Sequence, residues 1–245
     1  MHEVAVVHPV VVEEEVAAAQ PAARPPRTER AAQSTHATPL LAVLNRLLHA
    51  SRVVSYHGSA VIVLSGDGAQ TISTGEGAGE LHNVSIENTS GQVTIEGDLQ
   101  ISGNYTDNGN TVDATVANVE LQGNANVDGS GTSFGDVDLN GGYFEISEMH
   151  VDGDLTIENA ARINGGEISV TGDVTTTDTS YHGSAVIVLS GDGAQTISTG
   201  DGTGELHNVS IENTSGQVTI EGDLQISGNY TDNGNTVDAT VANVE

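Results

Sequence analysis

The chain has 245 residues, a formal net charge of −28, and neither Cys nor Trp. Phosphate recognition requires clustered Lys and Arg, so this charge excludes a nucleic-acid partner bound through a basic face; the absence of Cys excludes disulfides, Cys-ligated zinc and thiol chemistry. No run of about 18 apolar residues occurs, so we expect no membrane insertion.

Composition divides the chain near residue 55. Residues 1–54 hold five Arg and five Glu, whereas residues 55–245 hold 29 acidic residues and one base, Arg162. All five Pro lie at or before Pro39, and all thirty Gly lie at or after Gly58. These shifts predict a domain boundary between an N-terminal segment and a Gly-rich acidic domain.

The N-terminal segment is predicted to be an arm followed by a short helix. Residues 1–37 are rich in Ala and Pro without a sustained period, which favours a disordered or extended arm. Residues 38–54 are predicted to form a short helix, with Thr38 as N-cap and Pro39 at the first helical position. This helix either caps the end of the following domain or is marginally stable by itself.

The acidic domain contains a long repeat. Residues 55–120 recur at residues 180–245, and 64 of the 66 aligned positions are identical. The repeat defines a 125-residue unit, residues 55–179, followed by a partial second copy, residues 180–245. Such identity indicates recent duplication, and we expect the natural array to be longer.

A shorter period lies inside the unit. An Asp or Asn followed by an apolar, any and an apolar residue recurs about every 18 residues, at Asn83, Asp98, Asn118, Asp136, Asp154 and Asp173. Asp67 fits this pattern more loosely and gives a seventh position in the unit. Alternating apolar residues flank each position, as in a strand with one buried face. A Gly often precedes the Asp, which predicts a kink where Gly adopts positive φ.

This periodicity predicts an all-β fold, a parallel β-helix or β-solenoid over residues 55–245. With about 18 residues per rung and seven rungs per unit, successive strands would pair in parallel. The absence of Pro after Pro39 agrees with uninterrupted ladders. An antiparallel β-sandwich is the alternative, but it does not explain the short period.

The segment GDGAQTISTGEGAGELHNVSIENTSGQVTIEGDLQISGNYTDNG, residues 66–109, resembles the repeats of large exported bacterial surface proteins. The resemblance covers about residues 55–245 and includes haemagglutinin-like and autotransporter-like adhesins. It implies a parallel β-helix and an extracellular or cell-surface location. The N-terminal segment departs from that group, because no export signal is recognisable in it.

The repeated Asp residues suggest one metal site. Asp98, Asp136, Asp154, Asp173 and Asp223 occupy the repeated position, and stacked carboxylates could bind Ca²⁺, which takes six to eight oxygen ligands. In the alternative that we favour, each Asp caps its own turn and faces water. A calcium-dependent binding module is a corresponding functional alternative.

Catalysis is not expected. A glycosidase needs two carboxylates at a defined separation, one with a raised pKa, and no pair stands out among the many acids. The remaining alternative is a carbohydrate-binding or polysaccharide-cleaving β-helix, marked by a lateral groove with clustered acids and aromatic residues.

The sequence therefore predicts a non-catalytic extracellular structural protein: a surface stalk, an adhesin segment or a fibre subunit. An open sheet edge invites another strand, so the expected partners are further copies of the chain, stacked end to end into filaments, or a cell-surface glycan. The high negative charge favours solubility.

Overall fold

The computed structural model describes residues 60–75, 77–177 and 183–244, and in them it contains sixteen β-strands and no helix. The strands are β1 Val61–Gly66, β2 Gln70–Ser73, β3 Gly79–Leu81, β4 Asn83–Asn88, β5 Val93–Ile101, β6 Tyr105–Thr106, β7 Val112–Gln122, β8 Ala125–Val151, β9 Leu155–Val170, β10 Val174–Thr176, β11 Val186–Leu189, β12 Gln195–Leu206, β13 Asn208–Ile211, β14 Gln217–Ile226, β15 Tyr230–Asp232 and β16 Thr236–Val244. The predicted arm, residues 1–37, and the predicted helix, residues 38–54, lie outside the described residues.

Parallel pairing between successive turns of the chain builds a β-solenoid of about eight coils. Strand β7, for example, lies between β5 and β8 and pairs in parallel with both. Each described strand pair is parallel, which excludes the antiparallel sandwich for this part of the chain. The prediction of an all-β parallel solenoid is confirmed.

The coils are slightly longer than the motif spacing predicted, at roughly 20 residues each. One row of paired residues, here called the core row, runs through Gly79, Leu99, Val119, Val137, Leu155, Val174, Ile197 and Ile220. The step from Val137 to Leu155 is among the shortest in this row, and the step from Ile197 to Ile220 is among the longest. The coils differ in length because their corners differ, while the paired strands stay in register.

The predicted count of seven rungs per unit was wrong because one motif position belongs to another side of the solenoid. Asn83 does not occupy the position stacked one coil before Asp98, because it lies on another side of its coil, where it pairs with Val61. Asp98 instead precedes Leu99, whose partner in the previous coil is Gly79. Six coils, not seven, therefore separate Gly79 from Ile197 along the core row.

The interior is filled by aliphatic side chains stacked from coil to coil. In the row Leu81, Ile101, Leu121, Leu139 and Ile157, each side chain is at most 5% exposed. Two aromatic rings enlarge the core near the middle of the chain, where Tyr105 and Phe134 pack with ring centroids 5.3 Å apart. Burying this apolar area is the main source of stability, and outward residues of the same strands remain polar.

No helix in the described part of the chain is long and apolar enough to cross a membrane.

Candidate functional site

Four of the five Asp residues proposed as metal ligands lie in one row on the outer surface. We call Asp98, Asn118, Asp136, Asp154 and Asp173 the Asx row. Each side chain comes from the residue before the core row, so neighbours lie one coil apart, about 4.8 Å. Asn118 interrupts the carboxylates and donates its amide to Asp98 Oδ1 at 2.8 Å.

Three of the four carboxylates of the Asx row accept a backbone hydrogen bond from the following coil. Asp136 Oδ1 accepts the N–H of Asp154 at 2.9 Å, and Asp154 Oδ1 accepts the N–H of Asp173 at 2.8 Å. Asp173 Oδ1 accepts the N–H of Thr196 at 2.7 Å. Each of these Asp residues therefore satisfies an amide in the next coil, rather than one in its own turn.

The glycines before these Asp residues have two different roles. Gly97 has φ of 85°, as predicted for a kink. A Cβ at Gly153, however, would lie 2.2 Å from Asp136 Oδ1, and one at Gly172 would lie 2.3 Å from the carbonyl of Gly153. At these two positions Gly is required by the close approach of the previous coil.

Asp223 does not belong to the Asx row. It is the repeat equivalent of Asp98, but it lies in β14, where it pairs with Thr203 and Asn243. The structure therefore separates it from the other four residues.

Within residues 60–75, 77–177 and 183–244, no three His, Asp or Glu side chains form a group suited to hold a metal ion. The calcium assignment for Asp98, Asp136, Asp154, Asp173 and Asp223 stays a prediction. Carboxylate oxygens of Asp136, Asp154 and Asp173 are already occupied by amide donors, which favours their structural role.

A second polar row beside the Asx row contains a carboxyl group with a raised pKa. Glu120 accepts amide hydrogens from Gln100, Gln122 and Asn140 at 2.6, 2.7 and 2.9 Å. Its neighbour in the next coil, Asp138, has a buried Oδ1 without a hydrogen-bond partner among the described residues. Burial, with repulsion from Glu158 and Glu120, raises the pKa of Asp138 to about 6.

The two rows border a shallow groove of about 470 Å³, lined among others by Asp98, Glu120, Asp136, Asp138 and Asp154. In the segment DVDL, residues 136–139, the metal-site prediction was based on the first residue, Asp136, and did not consider the third residue, Asp138. The signal was available, because Asp138 occupies the outward third position of that segment.

A buried polar cluster joins the coils in the first copy. Asp107 is fully buried and accepts bonds from the N–H of Gly131 at 2.9 Å and the hydroxyl of Thr132 at 2.7 Å. The Thr132 hydroxyl also lies 2.7 Å from the hydroxyl of Tyr105. Both oxygens of Asp107 have donors, including the N–H of Gly109, so this buried carboxyl group has its hydrogen bonds satisfied.

A larger groove, about 780 Å³ in volume, lies on the side of the rod, at a position that the sequence did not predict. We call it the Tyr143 groove; its lining residues are Tyr143, Glu145, Arg162, Asn164, Gly165, Gly183, Ser184, His207 and Ser227. Tyr143 and Arg162 are paired neighbours in adjacent coils. Arg162 is the only Lys or Arg in residues 55–245. This single basic residue in an acidic domain was the sequence signal that could have pointed to the groove.

Hydrogen bonds hold the walls of the Tyr143 groove in place. The Tyr143 hydroxyl donates to Glu145 Oε2 at 3.0 Å and accepts from Asn164 Nδ2 at 2.6 Å. The backbone N–H of Tyr143 donates to Asn124 Oδ1 at 2.9 Å. Further along the rod axis, His207 Nδ1 lies 3.0 Å from Ser227 Oγ.

Comparisons with known protein families, with curated proteins and with solved structures found no match to this chain. Functional assignment therefore depends on the geometry of the chain itself.

Proposed function

We propose that this chain is a non-catalytic structural rod, whose number of coils sets how far it extends whatever is attached to it. The observation that carries the proposal is the use of the outward polar side chains. In the Asx row, the carboxylates of Asp136, Asp154 and Asp173 bind the backbone of the next coil instead of converging on a common point.

The same arrangement recurs on another side of the solenoid and in the second copy. Asn83 Oδ1 accepts the N–H of Asn104, and Asn104 Oδ1 accepts that of Asn126. Asn208 Oδ1 accepts the N–H of Asn229. Each bond contributes about 1 kcal/mol, and a series of them along the axis, beside a continuous core, suits a stiff spacer.

An extracellular or cell-surface location belongs to the same proposal. The resemblance of residues 66–109 to exported surface repeats supports it, as does the acidic composition, which keeps a repetitive β-protein soluble. The role as a stalk, an adhesin segment or a fibre subunit follows from what a rod of variable length can do mechanically.

The strand pairing favours self-association, in which the partner is another copy of this chain. Strand β7 pairs with β5 on one side and with β8 on the other. Strand β16, its repeat equivalent, pairs with β14, and no second strand is paired with it among the described residues. A strand edge with free pairing capacity can accept a further strand.

The rod function is tested by changing the number of coils. A variant that carries an additional copy of residues 55–179, inserted between residues 179 and 180, repeats only junctions already present in the sequence. We expect the rod to lengthen by about 30 Å, six coils at about 4.8 Å each, with an unchanged cross-section in small-angle scattering.

A matched insert with the same composition but a shuffled sequence serves as the control, and it should add flexible mass without lengthening the rigid rod. A repeat insert that widens the cross-section, or that leaves the rod length unchanged, would contradict the proposal.

A further inference from the structure

The Tyr143 groove has the features of a saccharide-binding site, which the rod function neither requires nor explains. We propose that it binds a short, neutral oligosaccharide along the side of the rod. The groove volume of about 780 Å³ falls within the range of small-molecule sites. It spans the boundary between the single-copy part of the unit, which supplies Tyr143, Glu145 and Arg162, and the second copy, which supplies His207 and Ser227.

The Tyr143 ring is positioned as a platform. The side chain is 39% exposed, one of three large apolar side chains exposed in the described residues. Its hydroxyl is held by Glu145 and Asn164, so the ring has a fixed orientation before a ligand arrives. The face of an aromatic ring carries negative charge density, which attracts the polarised C–H groups on the apolar face of a pyranose.

Polar groups around the platform match the vicinal hydroxyls of a sugar. Glu145 retains lone pairs beyond its bond to Tyr143, and a guanidinium such as that of Arg162 carries five donors. Ser184 Oγ accepts the N–H of Gly165 at 3.1 Å, which leaves its own hydrogen to donate. His207 uses Nδ1 for Ser227, so Nε2 is its other ring nitrogen for a ligand.

The floor of the groove consists of glycines that the packing requires. A Cβ at Gly165 would lie 2.1 Å from the carbonyl of Ile146, and φ of this residue is 100°. A Cβ at Gly183 would lie 1.9 Å from the carbonyl of Ile163. The lining residues belong to successive coils, so the groove follows the rod axis for roughly 19 Å, four steps of about 4.8 Å, and accepts an extended ligand.

Charge favours a neutral ligand over an anionic one. The chain carries a net charge of −28, and Arg162 is the one base among 29 acids in residues 55–245. The summed field therefore repels polyanions, whereas a neutral sugar is bound through hydrogen bonds and ring stacking.

The test uses the complete chain and isothermal titration calorimetry. The probes are short linear oligosaccharides of glucose, of galactose, of mannose and of N-acetylglucosamine, with an oligogalacturonate of equal length. We expect at least one neutral probe to bind with Kd of about 1 mM or lower. Tyr143→Ala should weaken that binding by about tenfold or more, and His207→Ala should weaken it as well.

The duplication provides a matched control. His82 makes the same bond to Ser102, at 3.0 Å, in the first copy and lies outside the groove, so His82→Ala should bind like the unmodified chain. Thermal melts of all variants monitor folding. Binding of no neutral probe, preference for oligogalacturonate, or equal effects of the two His variants would overturn the proposal. None of these outcomes bears on the rod function, which depends on length.

Discussion

At the scale of single residues, equivalent side chains in the two copies have different environments. Burial raises the pKa of Tyr105 far above its usual value, and nearby Asp107 adds to this, while the bond to Thr132 opposes it. Its repeat equivalent, Tyr230, is 44% exposed, and partial burial and Asp232 raise its pKa. Tyr105 pairs with Val127 at the start of β8, so the following coil covers it.

Asp138 is expected to make stability depend on pH. Its carboxyl pKa is raised from 3.8 to about 6, first by burial and then by Glu158 and Glu120. A raised pKa means that the folded state disfavours the charged form, so stability falls as pH rises from about 4 to above 6. Asp138→Asn should therefore raise the free energy of unfolding at pH 8 by about 1 kcal/mol, after allowance for solvent screening.

Urea denaturation at pH 4 and pH 8 measures this effect. Asp67→Asn makes the same charge change at an exposed turn residue and should leave the difference between the two pH values nearly unchanged. An Asp138→Asn variant that gains no stability at pH 8 would show that the carboxylate is adequately solvated.

At the scale of elements, the Asx row explains why coils of different length stay in register. The corners vary, since the chain takes a longer path from Val174 to its partner Ile197 than from Val137 to its partner Leu155. The Asp oxygens nevertheless bind an amide at the start of the next strand, which fixes where that strand begins. A repeated Asp is therefore compatible with a structural role that needs no ligand.

Two substitutions at Asp154 separate capping from calcium binding. Asp154→Ala removes the acceptor for the N–H of Asp173 and should lower the free energy of unfolding by about 1 kcal/mol. Asp154→Asn keeps the acceptor, since Asn83 and Asn104 accept an N–H of the next coil in the same way, and should be neutral or slightly stabilising because like charges are removed.

Thermal melts with Ca²⁺, with Mg²⁺ and with chelator complete this test. With capping alone, the two ions should shift the melting temperature equally by screening. A shift specific to Ca²⁺ that disappears in Asp154→Asn would instead establish the calcium ladder.

At the scale of the whole molecule, the 125-residue repeat unit does not correspond to a whole number of coils. Six coils along the core row lead from Gly79 to Ile197, whereas the repeat equivalent of Gly79 is Gly204. Ile197 is the equivalent of Ile72, from a different strand of the coil. The second copy is therefore turned about the rod axis relative to the first, and equivalent residues do not face the same way.

Self-association should depend on the edge of β16. A Lys on an exposed edge strand disfavours pairing with another chain, so Thr236→Lys should lower the fraction of oligomers in sedimentation velocity at high protein concentration. Thr111→Lys makes the identical change at the equivalent exposed residue of the first copy. Thr111 lies beside strand β7, which is paired on both sides, so this variant should leave association unchanged. Equal effects of the two variants would place the contact elsewhere.

The sequence by itself determined the all-β class, the parallel stacking and the stacking of Asp98, Asp136, Asp154 and Asp173. These properties are local and periodic: alternation selects the buried face, and a recurring Gly-Asp pair marks the same corner in the coils of these four Asp residues. The sequence also indicated that the polar residues of each strand face outward, because they alternate with apolar residues.

Only the tertiary structure decided the coil length, the separation of Asp223 from the Asx row, and the Tyr143 groove. Coil length depends on which corners pair between successive coils, and the spacing of a motif cannot distinguish two sides of one coil. The groove joins residues from successive coils, Tyr143 to Ser227, that approach one another only after the chain is wound. Burial of the Asp138 carboxyl likewise arises from neighbouring coils, since its own segment leaves it at an outward position.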